Sequence, residues 1–320
     1  MSTSDSLEEY ILEPASSPHQ SREGIRSVRN KPSRACLFLS ITLPALALFS
    51  QPSHAQETSI SAQTPGGHVN VATLPGIELG GQVSNYRYQE HVVSNAEFMH
   101  ETGVKVGITG AITEFVYQGF FVTGDVRFAY SGNDYSSASG KQDDIPDYLF
   151  ETRAVVGKDL FVTGPLLKGA IVGISPYIGI GYRRLYNDST GQTDLGVKGY
   201  TRESQYLYLP VGVTHRFGVS EGARISVNTE YDQLIEGWQT SNLNDASPAF
   251  PNIESKQRGG FGLRGSAMYE RGIWSVGPFF NYWNINQSET AHFTVARWRY
   301  SGFEPHNQTL EYGVQARYHF

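Results

Sequence analysis

The sequence predicts an all-β protein, a transmembrane antiparallel up-and-down β-barrel. Three observations lead there. The last eleven residues alternate without a break. Leu310, Tyr312, Val314, Ala316, Tyr318 and Phe320 form one face, and Glu311, Gly313, Gln315, Arg317 and His319 the other. That is period-two amphipathicity at the length of a transmembrane strand, about 9–11 residues. Second, outside Cys36–Ser50 no apolar run approaches the roughly 20 residues that a helix needs to cross a bilayer. Hydrophobic residues make up only 39% of the chain, which suits strands with one face to lipid and the other to a polar interior. Third, ten amphipathic segments are separated by connections that alternate between short and long.

The first segment runs from about Gly76 to Tyr88, with Ile77, Leu79 and Val83 outward and Glu78, Gln82 and Ser84 inward. The second, about Phe98 to Phe115, sets Val104, Val106, Ile108 and Ile112 against Lys105, Thr109 and Thr113. The third, about Gly119 to Ser131, sets Phe120, Val122, Val126 and Phe128 against Thr123, Asp125 and Arg127. The fourth, about Tyr148 to Lys158, carries Phe150, Ala154 and Val156 outward and Glu151 and Arg153 inward. The fifth, about Ile174 to Tyr186, sets Ile178, Ile180 and Tyr182 against Tyr177, Gly179 and Arg183. The sixth, about Ser204 to Phe217, has a clean apolar row of Leu207, Leu209, Val211 and Val213, with Tyr206, Tyr208, Thr214 and Arg216 inward. The seventh, about Arg224 to Ile235, sets Ile225, Val227 and Tyr231 against Asn228, Glu230 and Asp232. The eighth, about Gln257 to Tyr269, and the ninth, about Ile273 to Asn286, continue with Arg264 and Asn281 inward. The tenth is the C-terminal segment.

Junctions two, four, six and eight are short: near Val116-Tyr117, Thr163 to Lys168, Gly218 to Ala223 and Glu270 to Gly272. Junctions one, three, five, seven and nine are long and polar: 89–97, 132–147, 187–203, 236–256 and 287–306. Short periplasmic turns alternating with long extracellular loops are the pattern of outer-membrane barrels. Eight strands would require two of these segments to be loops, and twelve would require strands that are not visible. Aromatic residues mark both predicted ends: Phe217, Tyr269, Trp274, Tyr318 and Phe320 at one, Tyr130, Tyr148, Tyr182 and Tyr282 at the other. Two such girdles are expected where rings with a polar tip meet both interfaces.

The front of the chain predicts export. Arg26, Arg29, Lys31 and Arg34 precede the apolar run Cys36–Ser50, and a small-x-small end follows at Ser53-His54-Ala55. These are the parts of a signal peptide, here with an extended n-region, and the predicted division is 1–55 signal peptide cleaved after Ala55, 56–75 short periplasmic tail, 76–320 barrel. Cys36 is the only cysteine, so cleavage leaves neither disulfides nor thiolate chemistry. The net charge is −6, which argues against recognition of nucleic acid through bulk charge.

The C-terminal strand ends in Phe320, with Tyr318 two residues earlier and apolar residues at two-residue steps before it. This ending resembles that of bacterial outer-membrane β-barrel proteins, including small OmpA-like and porin-like barrels. The resemblance implies an address in the outer membrane, contact with its lipid and lipopolysaccharide, and recognition of Tyr318 and Phe320 by the barrel-assembly machinery. It does not name an activity or an extracellular ligand.

The predicted lumen is charged on almost every strand. Its acids are Glu78, Asp125, Glu151, Glu230, Asp232 and Glu311; its bases are Lys105, Arg127, Arg153, Arg183, Arg216, Arg224, Arg264 and Arg317. A barrel of about eight strands is just filled by its own side chains, and ten strands are little wider. The expectation is therefore a self-satisfying ion-pair network and a non-enzymatic, structural or surface-interaction role with at most minor permeability. The alternative is a narrow channel for small anions along the arginine-rich wall. A further alternative comes from architecture, because ten-stranded omptin proteases use two acids opposite an Asp/His pair near the outer rim. Asp143, Asp144, His292 and His306 are the rim candidates here, but their spacing does not match that family's pattern. A lipid A deacylase is not supported, since His215 has no Ser at 213 or 217. No cofactor is expected: neither a metal motif nor a phosphate-binding Gly loop is present.

Overall fold

The computed structural model describes residues 61–64, 67–92, 96–163 and 170–320. The predicted signal peptide and its cleavage point at Ala55 lie outside the described residues.

Ten strands close into one antiparallel barrel: β1 (Gly76–Val92), β2 (Ala96–Tyr117), β3 (Phe120–Ser137), β4 (Gly140–Lys158), β5 (Val172–Asp188), β6 (Thr201–Ser220), β7 (Ala223–Ser241), β8 (Gly260–Arg271), β9 (Trp274–Ile285) and β10 (His306–His319). Each strand pairs with the next, and β10 returns to β1, with Leu310 opposite Arg87, Val314 opposite Val83 and Tyr318 opposite Leu79. Closure pairs both sides of each of the ten strands and so removes the sheet edge.

One end carries the tight turns. Gln118-Gly119 joins β2 to β3 with φ of 35° and 81°, and Glu221-Gly222 and Gly272-Ile273 make the later turns with Gly222 at φ 68° and Gly272 at φ 60°. The first of these lies two residues beyond the predicted Val116-Tyr117 junction, because Gly119 supplies the left-handed residue that the turn needs.

The opposite, loop end departs from the sequence reading. The connection 132–147 is not a loop: β3 and β4 continue through it as a hairpin with Asn133 opposite Ile145 and Ser137 opposite Gly140. The connection 236–256 also begins as strand: β7 runs on to Ser241, with a bulge between Leu234 and Glu236. Ile253–Gln257, which spans the end of the connection 236–256 and the first residue of the eighth segment, is a separate short strand on Gly237–Ser241. The connection 287–306 contains a hairpin of its own, Ala291–Val295 with Trp298–Gly302. A helical turn, Leu243–Ala246, caps this end, with Leu243, Ala246, Tyr200 and Ile253 buried together.

Outward apolar side chains form a belt. Val83, Val104, Ile108, Phe128, Ile180, Val211, Val276 and Val314 are all 40–65% exposed, a pattern that only a nonaqueous surrounding would stabilise. Ring pairs bound it: Tyr130–Tyr148 at 5.1 Å toward the loops and Trp274–Tyr318 at 4.9 Å toward the turns. Beyond the loop-side rings the same outward face becomes charged, with Arg87–Glu97 at 2.9 Å and Arg184–Glu203 at 2.8 Å. The 22-residue β2 is roughly 75 Å long, or roughly 55 Å along the axis at a tilt of about 40°, against an apolar band of about 25 Å. The barrel wall therefore stands well clear of the belt at the loop end.

Candidate functional site

The lumen is filled in layers. At the centre, Arg264 donates to Glu151 at 2.5 and 2.9 Å and to Asp232 at 2.5 Å, and lies 3.2 Å from Glu230. Arg153 bridges Asp125 at 3.0 Å and Glu230 at 2.5 Å. Arg127 pairs with Glu311 and reaches Glu151 at 3.9 Å. Tyrosine and serine hydroxyls complete the acceptors' shells: Tyr208 donates to Glu151 at 2.8 Å, Tyr177 to Glu230 at 2.7 Å and Ser84 to Glu311 at 2.6 Å. Five strands contribute these charges, β3, β4 and β7 two each and β8 and β10 one each, because the inward phase of each brings them to this height. Such a network is a weak net stabiliser, but loss of one partner leaves a buried charge uncompensated.

Toward the loops the interior turns apolar. Ala129, Leu149, Leu185, Tyr206, Tyr208, Leu234, Trp283 and Ile285 pack across the bore. The Arg183 guanidinium lies 5.2 Å from the Trp283 ring, and its Nε and Nη2 have no hydrogen-bond partner. Lys105, fully buried, pairs with Asp147 and sits 3.6 Å from the Tyr86 ring. Above them Arg202 joins Glu90 at 2.6 Å and Glu101 at 3.2 Å.

Toward the turns the charges are more open. Arg317 pairs with Glu78 at 3.3 Å and Arg224 with Glu270 at 2.7 Å, while Arg216 donates to Ser175 at 2.6 Å and lies 3.8 Å from Asp159. A polar cavity of about 280 Å³ occupies this half, bordered by Arg127, Arg153, Arg216, Arg224 and Arg317. The segment before β1 closes its floor. Val71 is fully buried, Arg224 donates to the carbonyls of Asn70 and Ala72 at 2.9 and 2.7 Å, and Thr73 donates twice to Asp159.

All fourteen charged residues read as lumenal from the sequence sit on inward positions of the barrel strands. The central layer brings together Asp125, Arg127, Glu151, Arg153, Glu230, Asp232, Arg264 and Glu311. Glu78, Arg216, Arg224 and Arg317 lie apart from it at the turn end, and Lys105 and Arg183 above it. Sequence reasoning missed Asp147, Arg202, Glu90, Glu101, Asp159 and Glu270, and the apolar layer. Continuing the inward phase of each strand two or four residues further, to Leu149, Leu185, Leu234 and Trp283, would have found that layer. Tyr318 packs edge-on to Phe320 at 4.6 Å, and the Phe320 backbone N–H donates to the Ile77 carbonyl at 2.9 Å. At the rim, the Asp144 N–H donates to Asp134 at 3.4 Å and His306 Nε2 contacts Asn284 Oδ1 at 3.0 Å. Among the described residues neither Asp143 nor Asp144 is hydrogen-bonded or ion-paired to His292 or His306.

The likeness to solved structures follows this geometry. The outer-membrane protease OmpT from Escherichia coli superposes with a TM-score of 0.51 at 10% identity, over 78% of this chain and 100% of that one. The fold is that of bacterial outer-membrane β-barrels. Other solved structures align less well: the Pseudomonas putida toluene transporter TodX has a TM-score of 0.33 at 7% identity over 77% of this chain and 89% of that one. An outer-membrane channel from Pseudomonas putida F1 has a TM-score of 0.29 at 11% identity over 79% of this chain and all of that one. No protein-family model matches the chain, and a search of curated proteins finds no match. At these identities the likeness concerns the fold alone.

Proposed function

We propose that this chain is an integral outer-membrane barrel that moves no solute and serves as a rigid, non-enzymatic platform for its loop-end surface. The observation that carries the reading is the filled bore. The ion-pair layer around Arg264 and the apolar layer around Trp283 follow one another along the axis, and Glu151, Glu230, Asp232, Glu311 and Trp283 are all nearly inaccessible. The open space is a cavity at the turn end, with Arg127, Arg153 and Arg264 at its head. In this reading the belt contacts acyl chains, the charged wall above the Tyr130–Tyr148 rings meets lipopolysaccharide, and the Tyr318–Phe320 ending engages the assembly machinery. The test is a planar-bilayer recording of the purified barrel. No discrete conductance steps are expected. Regular steps would overturn the platform reading and favour a narrow anion channel, and cleavage of a peptide panel would overturn its non-enzymatic part.

A further inference from the structure

The seam that closes the barrel carries a feature that the platform reading does not use. His306, the first residue of β10, lies directly opposite His91 of β1, and their ring centroids are 5.5 Å apart at an interplanar angle of 38°. On its other side His91 is the register partner of Glu97 of β2, next to a bulge between Glu90 and His91. Bulges re-aim side chains and recur beside functional sites.

We propose that His91 and His306 bind a divalent transition-metal ion, Zn²⁺ or Cu²⁺, across this seam. The spacing suits a shared ion. With a metal–nitrogen distance of about 2.0–2.1 Å and about 1.1 Å from nitrogen to ring centre, two imidazoles on a tetrahedral ion have centroids about 5.2 Å apart.

The hydrogen bonds suit it as well. Asn284 Oδ1 accepts from His306 Nε2 at 3.0 Å, while the Asn284 amide nitrogen donates to Tyr282 Oη at 3.2 Å. That arrangement puts the hydrogen of His306 on Nε2 and leaves Nδ1 with a lone pair. A carbonyl oxygen holding the far ring nitrogen is the usual support of a metal-bound histidine. His91 Nδ1 is buried with no partner, a costly state that a bound ion would relieve. Gln89 Nε2 lies 3.4 Å from His91 Nε2. The same Gln89 nitrogen donates to Gln308 Oε1 at 3.1 Å. Coordination through His91 Nδ1 needs the hydrogen on Nε2, so the Gln89 and Gln308 amides turn together when the ion binds, Gln89 presenting its oxygen to His91 and Gln308 its nitrogen to Gln89.

Glu97, the register partner of His91, has its two carboxylate oxygens engaged by Arg87 at 2.9 Å and His100 at 2.7 Å. Among the described residues no group of three or more His, Cys, Asp or Glu already surrounds one metal position. The site is thus a two-imidazole chelate whose remaining positions are open to water or to an anionic ligand. The two histidines lie more than two hundred residues apart in sequence, so no spacing motif announces them.

The experiment uses the untagged barrel refolded in detergent, titrated with Cu²⁺ by calorimetry and electron paramagnetic resonance, and then with Zn²⁺. One saturable Cu²⁺ per chain is expected, with nitrogen hyperfine coupling. His91→Asn and His306→Asn should each weaken binding by about tenfold or more. His292→Asn should leave it unchanged, and gel mobility with and without heating reports that every variant is folded. Absence of saturable binding overturns the proposal. So does binding that survives both substitutions, or that His292→Asn abolishes equally.

Discussion

Arg264→Met places the sharpest demand on the central ion-pair layer. Arg264 touches three carboxylates, and their fates differ when it is removed. Glu151 keeps the Tyr208 hydroxyl at 2.8 Å and Arg127 at 3.9 Å. Glu230 keeps Arg153 at 2.5 Å and Tyr177 at 2.7 Å. Asp232 keeps no cation: its other oxygen, Oδ1, has no hydrogen-bond partner, and its side chain is fully buried. The substitution therefore strands one buried carboxylate, a loss of about 3–5 kcal/mol. That corresponds to roughly 10²–10⁴ in the folded-to-unfolded ratio. Urea unfolding in detergent, followed by tryptophan fluorescence, measures it. Arg317→Met is the control, because the Arg317–Glu78 pair is 3.3 Å apart with both side chains 35% exposed, and such pairs contribute about 0–1 kcal/mol. Adding Asp232→Asn to Arg264→Met removes the stranded charge and should recover much of the loss. If Arg264→Met behaves like Arg317→Met, or if Asp232→Asn recovers nothing, the reading of the layer as a buried, mutually compensating network is wrong.

Two further perturbations probe the belt and the floor. Ile108, 65% exposed in the middle of the outward face, should tolerate arginine poorly, at about 2–4 kcal/mol, while Thr102→Arg on the same face nearer the loops should cost about 0–1 kcal/mol; equal effects in lipid vesicles would misplace the belt. Gly173→Ala would put a methyl group 2.1 Å from the Val71 carbonyl oxygen, so the 69–73 segment should leave its seat while the barrel stays closed. Hydrogen exchange should then rise at 71–73 without rising in β9 or β10, and protection unchanged at 71–73 would refute the contact.

The sequence showed most where one face meets an apolar phase. Along Leu207–Val213 or Leu310–Phe320 the alternation is a direct print of inside against outside, so strand phase and count were legible. It showed least where the wall rises beyond the belt. In Ser131–Ser137 and Gly140–Asp147 both faces are polar, the alternation fades, and the stretch reads as loop although it is a regular hairpin. Several missed members of the lumen lie in such stretches: Glu90, Asp147 and Arg202 belong to segments taken as external connections, while Glu101 lies in the polar first residues of the second segment. The apolar layer was missed for the converse reason. Leu149 and Trp283 share the phase of Glu151 and Asn281, and a strand with apolar residues on both faces gives no contrast. The His91–His306 pair was invisible because only closure of the barrel makes the first and last strands neighbours.

The β10–β1 ladder joins residues as far apart as Leu79 and Tyr318. Bringing such distant ends together costs roughly 5 kcal/mol of chain entropy before any seam hydrogen bond is made. Until that happens, β1 offers an unpaired row of amides and carbonyls along its whole length, open to the nearest extended peptide. Pairing along the β10–β1 seam silences that row, so this one ladder turns an adhesive sheet into a wall that is inert toward other extended chains.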